Sequence, residues 1–158
     1  MSLTLEKLQS QFADPIIETH SQLGQDTAIL SKDALFEAAR FLKETAELRY
    51  NYLMDVTAVD YWKRKPRFEV VYHFLSLENR FRLRLKVPVA GLEPELESLT
   101  PLWAAADWYE REVYDMFGIK FKGHPNLRRI LLYPEFEGHP LRKDYPVNKR
   151  QPLVGPKD

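Results

Sequence analysis

Cysteine is absent from this 158-residue chain. That excludes disulfides, thiolate zinc sites and any iron–sulfur cluster held by the chain's own cysteines. No apolar run approaches the roughly 20 residues needed to span a bilayer, and the first residues, Met1 to Lys7, lack the basic and apolar regions of a secretory signal. Any service to a membrane is therefore expected to pass through partners. Glycine is scarce, at 6 residues, and neither a phosphate-binding loop, a G-x-S-x-G elbow nor a dinucleotide fingerprint is present. Net charge is also missing: 23 basic residues balance 23 acidic ones. The distribution is uneven, however. Residues 1–62 hold 5 basic and 10 acidic residues, and residues 119–158 hold 9 basic and 4 acidic. An acidic front and a basic back suit docking to an oppositely charged protein surface.

What is present is enough apolar and aromatic material, including 9 Phe, 8 Tyr and 3 Trp, for one folded domain with a tail. Apolar spacing predicts a first helix over Leu3–Phe12, ended by Asp14-Pro15. Strands at Ile16–Ser21 and Thr27–Leu30 flank Gly24-Gln25-Asp26 as a hairpin. Ser31 is the expected N-cap of a helix to about Glu47, with Leu35, Ala38, Ala39 and Leu42 on one face. Three strands follow, Tyr52–Val59, Phe68–Leu75 and Arg80–Val87. The last alternates Phe81, Leu83, Leu85 and Val87 with Arg80, Arg82, Arg84 and Lys86, the pattern of a sheet with one face on the core and one in water. Pro88–Ser98 reads as a loop. Thr100 and Pro101 are expected to open a last helix that runs to Phe117 and stops at Gly118. Its core stripe is Leu102, Ala106, Tyr109, Val113, Met116 and Phe117, with Asp107 and Arg111 placed for an i, i+4 ion pair of about 0.3–0.5 kcal/mol. The expected fold is α+β: a two-layer domain with a mixed, largely antiparallel five-stranded sheet packed by helices, in the order α-β-β-α-β-β-β-α.

After Gly123 repeated X-Pro steps replace regular periodicity, with one short strand possible at Arg129–Leu132. Residues 1–122 are thus expected to form the domain and residues 123–158 an extended C-terminal arm that docks on a partner. Charged residues and aromatics concentrate around this junction. Glu110 and Glu112 lie about 160° apart around the helix, so their carboxylates diverge and cannot share an acid–base site. They are expected instead to pair with arginines, Arg128, Arg129 or Arg142, within the chain or across an interface. Trp108 points away from the core stripe, where it can anchor an interface, unless the arm covers it. His124 and His139 each precede proline. Either they hydrogen-bond backbone carbonyls, or, with Glu135 or Glu137, they form the metal site of a free-standing enzyme. Nucleic acid is not favoured, because Glu135, Glu137 and Asp144 interrupt the basic arm.

Glu110-Arg111-Glu112-Val113-Tyr114-Asp115-Met116-Phe117-Gly118-Ile119, followed by His124-Pro125-Asn126-Leu127-Arg128-Arg129-Ile130-Leu131, resembles the signature of the 30-kilodalton subunit family of respiratory complex I, the proton-pumping NADH:quinone oxidoreductase. Glu137 to Pro146 is similar to the family's ending, and Asp55–Tyr61 and Phe68–Leu75 to its strands. Tyr133-Pro134-Glu135-Phe136 departs from the Pro-Glu-Asp of many members, so that turn is expected to differ. The resemblance implies a small α/β domain with a C-terminal arm and no cofactor of its own. It implies a place in the hydrophilic arm, peripheral on the cytoplasmic face of the inner membrane, packed on the quinone-site subunit near the quinone-reducing region. Iron–sulfur clusters, FMN and quinone would belong to neighbouring subunits. By the resemblance, Glu110, Arg111, Glu112, Asp115, His124, Arg128, Arg129, His139, Arg142, Lys143 and Asp144 would hold the arm and the quinone-site subunit together, beside the outward Trp108 read from the helix itself. The same family supplies membrane-bound [NiFe]-hydrogenases and ferredoxin- or F420-linked quinone reductases, which the signature does not separate.

Overall fold

The computed structural model describes residues 2–152, so the expected arm beyond Pro152 lies outside the described residues. Helix α1 (Leu3–Gln11) is capped by Ser2, whose hydroxyl accepts from the Leu5 amide. The hairpin follows as β1 (Ile16–Gln22) and β2 (Gln25–Leu30). Helix α2 (Leu35–Glu44) buries the expected face of Leu35, Ala38, Ala39 and Leu42. Ser31 does not cap it. A short 3-10 turn, Lys32–Ala34, intervenes, and the Ser31 side chain makes no cap bond. The helix also ends at Glu44, short of Glu47, because Thr45 already has extended backbone angles.

Strands β3 (Tyr52–Asp60), β4 (Phe68–Ser76) and β5 (Phe81–Val89) complete a five-stranded sheet in the order β1-β2-β5-β4-β3. Only the β2–β5 pair is parallel. The expected α+β class, with its mixed and largely antiparallel sheet, is the observed one. Along β4 and β5 the register sets Phe68 beside Val89, Val70 beside Val87, Tyr72 beside Leu85 and Phe74 beside Leu83, all buried. The arginines of β5 fall on the opposite face, as the alternation requires. Each such apolar side chain contributes about 1.5–3 kcal/mol on burial. In β3 the register slips at Met54, between Leu53 opposite Phe74 and Asp55 opposite His73. The extra residue switches parity, so Val56, Ala58 and Asp60 follow Leu53 onto the core side. An acid thereby enters the buried layer at the end of a strand.

Helix α3 spans Ala106–Phe117 and lies along edge strand β3. It starts later than Thr100-Pro101 suggested. Ser98 Oγ, not Thr100, accepts the Thr100 amide, a separate turn closes from Leu102 and Trp103 onto the Leu99 carbonyl, and Trp103 turns into the core against Phe74. Gly118 ends α3 in the left-handed conformation, φ 73°. Two three-residue strands, β6 (Glu95–Glu97) and β7 (Lys120–Lys122), pair in parallel with Leu96 and Phe121 buried, and β6 lies within the stretch Pro88–Ser98 expected as a loop.

Candidate functional site

From Gly123 to Pro152 the chain has turns and bends with no helix or strand. It returns across α3 and is fastened by two buried carboxylates, one on α3 and one at the end of β3. The first is Asp115, whose side chain is fully enclosed. Oδ1 accepts from Arg129 Nη1 at 2.7 Å, and Oδ2 accepts from the consecutive amides of Ile130, Leu131 and Leu132 at 3.1, 2.9 and 2.9 Å. Burial pushes Asp115 up, but the Leu132, Leu131 and Ile130 amides and the Arg129 guanidinium outweigh it and hold the carboxyl below its ordinary value. Three successive amides aimed at one oxygen cannot alternate as a ladder does, so the expected strand at Arg129–Leu132 does not form.

Arg129 extends the knot by donating from Nη2 to the carbonyls of Phe136 and Gly138. Arg111 donates to the carbonyls of Arg128 and Arg129, both at 3.1 Å, with its guanidinium over the Trp108 ring. The expected Asp107–Arg111 pair is therefore absent, because Arg111 serves the arm. His124 donates from Nε2 to the Asp107 carbonyl at 3.1 Å and accepts the Asn126 amide at Nδ1. His139 donates from Nδ1 to the Asp115 carbonyl at 2.9 Å, and burial, with Arg129 and Arg142 nearby, holds its pKa below the ordinary value. These two carbonyls are eight residues apart on α3, about 12 Å along the axis. A single metal needs both nitrogens within about 2 Å, so the metal-enzyme reading is overturned by geometry. Among the described residues no group of three or more His, Asp or Glu side chains is gathered to hold a metal ion.

The second carboxylate is Asp60, a residue that the motif-based expectations passed over. It takes the Arg67 guanidinium through both oxygens at 2.8 and 2.6 Å, and its Oδ2 accepts the Lys143 amide at 2.8 Å. Arg67 also reaches Asp144 at 3.0 Å, and Arg142 meets the same carboxylate at 3.2 Å. Arg67 above all, with Arg142, brings Asp144 down to about 2, against a smaller push upward from burial. A detectable signal did exist in the sequence: an Asp at a position where β3 otherwise alternates into the core.

The glutamates separate as their divergence required, but neither finds an arginine. Glu110 is wholly buried, accepting Ser98 Oγ at 2.6 Å and the Leu99 amide at 2.7 Å. Burial raises it to about 7 despite those two bonds. The reason is local: the turn at 99–103 occupies the space beside Glu110, while Arg129 is claimed by Asp115. Glu112 is exposed, and among the described residues it forms no ion pair. Arg128 and Lys143 contribute backbone groups to the arm and leave their side chains exposed. Trp108 stays 63% exposed, so the arm does not cover it. Leu131 and Leu141 of the arm are exposed at 62% and 52%. Their backbone amides are nevertheless tied to Asp115 and to the Met116 carbonyl. The arrangement presents exposed apolar and basic side chains on a backbone that the buried carboxylates Asp115 and Asp60 hold in place.

Residues 28–151 match the family described as respiratory-chain NADH dehydrogenase, 30 Kd subunit. The NADH-quinone oxidoreductase C-subunit of Citrifermentans bemidjiense is 47% identical over 151 residues, covering 94% of this chain and 92% of that one. Its counterpart in Roseiflexus castenholzii is 46% identical over 147 residues, covering 93% and 84%. Among solved structures, a trypsin-resistant fragment of Nqo5 superposes with a TM-score of 0.69 at 32% identity, over 79% of this chain and all of that one. A chain of an archaeal membrane-bound sulfane sulfur reductase superposes with 0.76 at 25% identity, over 91% and 84%. With residues 28–151 matching the family model and relatives 46–47% identical over more than nine-tenths of its length, the chain belongs to the 30-kilodalton subunit family of respiratory-chain NADH dehydrogenase, that of the NADH-quinone oxidoreductase C-subunits.

Proposed function

We propose that the chain is a non-catalytic structural subunit of the hydrophilic arm of a proton-translocating NADH:quinone oxidoreductase. It binds the quinone-site subunit near the quinone-reducing region and keeps the neighbouring iron–sulfur subunits in register. Electrons pass from NADH through FMN and the clusters of those neighbours to quinone, and none passes through this chain. It reaches the cytoplasmic face of the inner membrane through its partners.

The observation that carries this reading is the division of labour in the arm. Backbone and buried charge from Arg129 to Asp144 are consumed within the chain, while Trp108, Arg128, Leu131, Leu141 and Lys143 face outward. Prior fastening removes most of the entropy that an arm loses on docking. It also shifts the expected role of Arg111, Asp115, Arg129, His139, Arg142 and Asp144: they position the arm, and the outward side chains touch the partner.

The test is affinity recovery of the tagged chain from gently solubilised membranes, with mass spectrometry of what accompanies it. A homologue of the quinone-site subunit with NADH-module proteins is the expected result. The likeness to a sulfane sulfur reductase chain favours one second reading, the equivalent subunit of a sister complex such as a [NiFe]-hydrogenase or a ferredoxin- or F420-linked reductase. Recovery of those subunits would establish it instead. Recovery of the chain alone would refute both.

A further inference from the structure

The connection from β3 to β4 reads Tyr61-Trp62-Lys63-Arg64-Lys65-Pro66-Arg67. It borders a cleft of about 730 Å³ lined also by Ile17 of β1 and Pro88 of β5. Five cations line this cleft, Lys32, Lys63, Arg64, Lys65 and Arg67, and no carboxylate does. Arg67 is neutralised by Asp60 and Asp144. Among the described residues, Lys32, Lys63, Arg64 and Lys65 form no ion pair. Like charges gathered without a counter-charge focus a positive potential into the concavity.

Trp62 supplies a second, independent observation. It remains 45% exposed, although its amide donates to Asp60 Oδ1 at 2.8 Å and the Arg67 guanidinium sits 4.8 Å over its ring. Its backbone is left-handed, φ 55°, a conformation that a bulky side chain adopts only where its surroundings impose it. The loop thus holds an aromatic group rigidly at the mouth of an apolar, cationic cleft. A rigid aromatic with a basic rim is the usual composition of an interface hot spot.

We propose that this cleft seats an acidic segment of a partner subunit, with carboxylates on Lys63, Arg64 and Lys65 and one apolar side chain against Trp62. An inorganic anion would leave the apolar wall unused, and a flat bilayer surface would meet the rim of the cleft more than its wall. The proposal rests on the reading of the chain as a subunit of a larger complex.

Zero-length carbodiimide coupling in the solubilised complex tests it, since that reagent condenses a lysine amine with a touching carboxylate to an amide and itself takes up the water as a urea. The expected product is Lys63 or Lys65 joined to an Asp or Glu of another subunit. The double variant Lys63→Glu/Lys65→Glu, on an exposed loop, should melt as the parent does yet be retained by the complex about tenfold less well in 150 mM salt. If the complex is recovered with its quinone-site subunit but Lys63 and Lys65 are acetylated by N-hydroxysuccinimidyl acetate as fast as in the isolated chain, the cleft is empty and the proposal falls while the functional reading stands. Co-sedimentation of the isolated chain with phosphatidylglycerol vesicles, lost in the double variant, would assign the cleft to lipid and also overturn it. Recovery of the chain without any complex would remove the functional reading and this proposal together.

Discussion

Replacing Asp115 with asparagine should free the arm without unfolding the domain. The carboxylate accepts four donors, one from Arg129 and three from the amides of Ile130, Leu131 and Leu132. An asparagine of the same shape offers one acceptor oxygen and a donor NH2. With its oxygen towards the three amides, the NH2 confronts the Arg129 guanidinium; turned over, it confronts the amides. Either way a buried charge pair is broken, which costs about 3–5 kcal/mol. The loss falls on the docking of the arm, because Val113, Phe117 and the β4–β5 core do not depend on it. A cost of about 3 kcal/mol multiplies the undocked population by about 150-fold. Hydrogen exchange at pH 7 should show that acceleration at the amides of Ile130, Leu131 and Leu132 and none at Val70 or Tyr72, and trypsin should newly cut after Arg128 and Arg129. Exchange at those three amides within about threefold of the parent would refute the assignment of Asp115 as the clamp. The native carboxyl is held below its unfolded value of 3.8, so the docking strength it provides is fully present above that pH and is lost as pH falls further.

Glu110 behaves in the opposite sense. Its pKa rises from 4.5 to about 7 on folding, so the native state binds the extra proton between those values and stability falls as pH rises through 7, by about 3 kcal/mol in all. Glu110→Gln can donate to Ser98 Oγ and accept the Leu99 amide without charge; its Tm should stay flat from pH 5 to 8, whereas the parent's declines. Gly118→Ala places a Cβ 2.6 and 2.7 Å from ring atoms of His139 at φ 73°. With about 1–2 kcal/mol for the left-handed backbone alone, urea unfolding should show a loss of about 2 kcal/mol or more. Trp108→Ala should leave the stability of the isolated chain within about 0.5 kcal/mol yet reduce recovery of a partner about tenfold, as removal of an interface anchor does.

Local periodicity made much of the fold legible. The Phe81–Val87 alternation fixed the two faces of β5, and the Leu35, Ala38, Ala39, Leu42 stripe fixed α2. What stayed hidden was set by groups distant in the chain. Helix α3 starts late because Ser98 and Glu110 build a turn ahead of it. The strands β6 and β7 are three residues each and exist only as a pair. Asp60 and Asp144 meet through Arg67, a residue no motif marked. The signature stands out in the sequence as a group, yet the pairing within it was not legible: Arg129 could have met Glu110, Glu112 or Asp115 until the fold buried only Asp115 within its reach.

The parallel seam between β2 and β5 imposes an order on biosynthesis. Ala28 has no neighbour on that side until Leu85 arrives, so the N-terminal hairpin leaves the ribosome with an unpaired edge and waits for the intervening helix and two strands. At about 5–20 residues per second, that wait lasts several seconds, during which β2 exposes a template for the wrong strand. Asp115 and Asp60 must in turn wait for the arm. Asp115 stays a bare buried charge until Arg129 emerges, and Asp60, already paired with Arg67, still lacks the Lys143 amide, so the face that α3 and β3 build with the arm is finished only after residue 143.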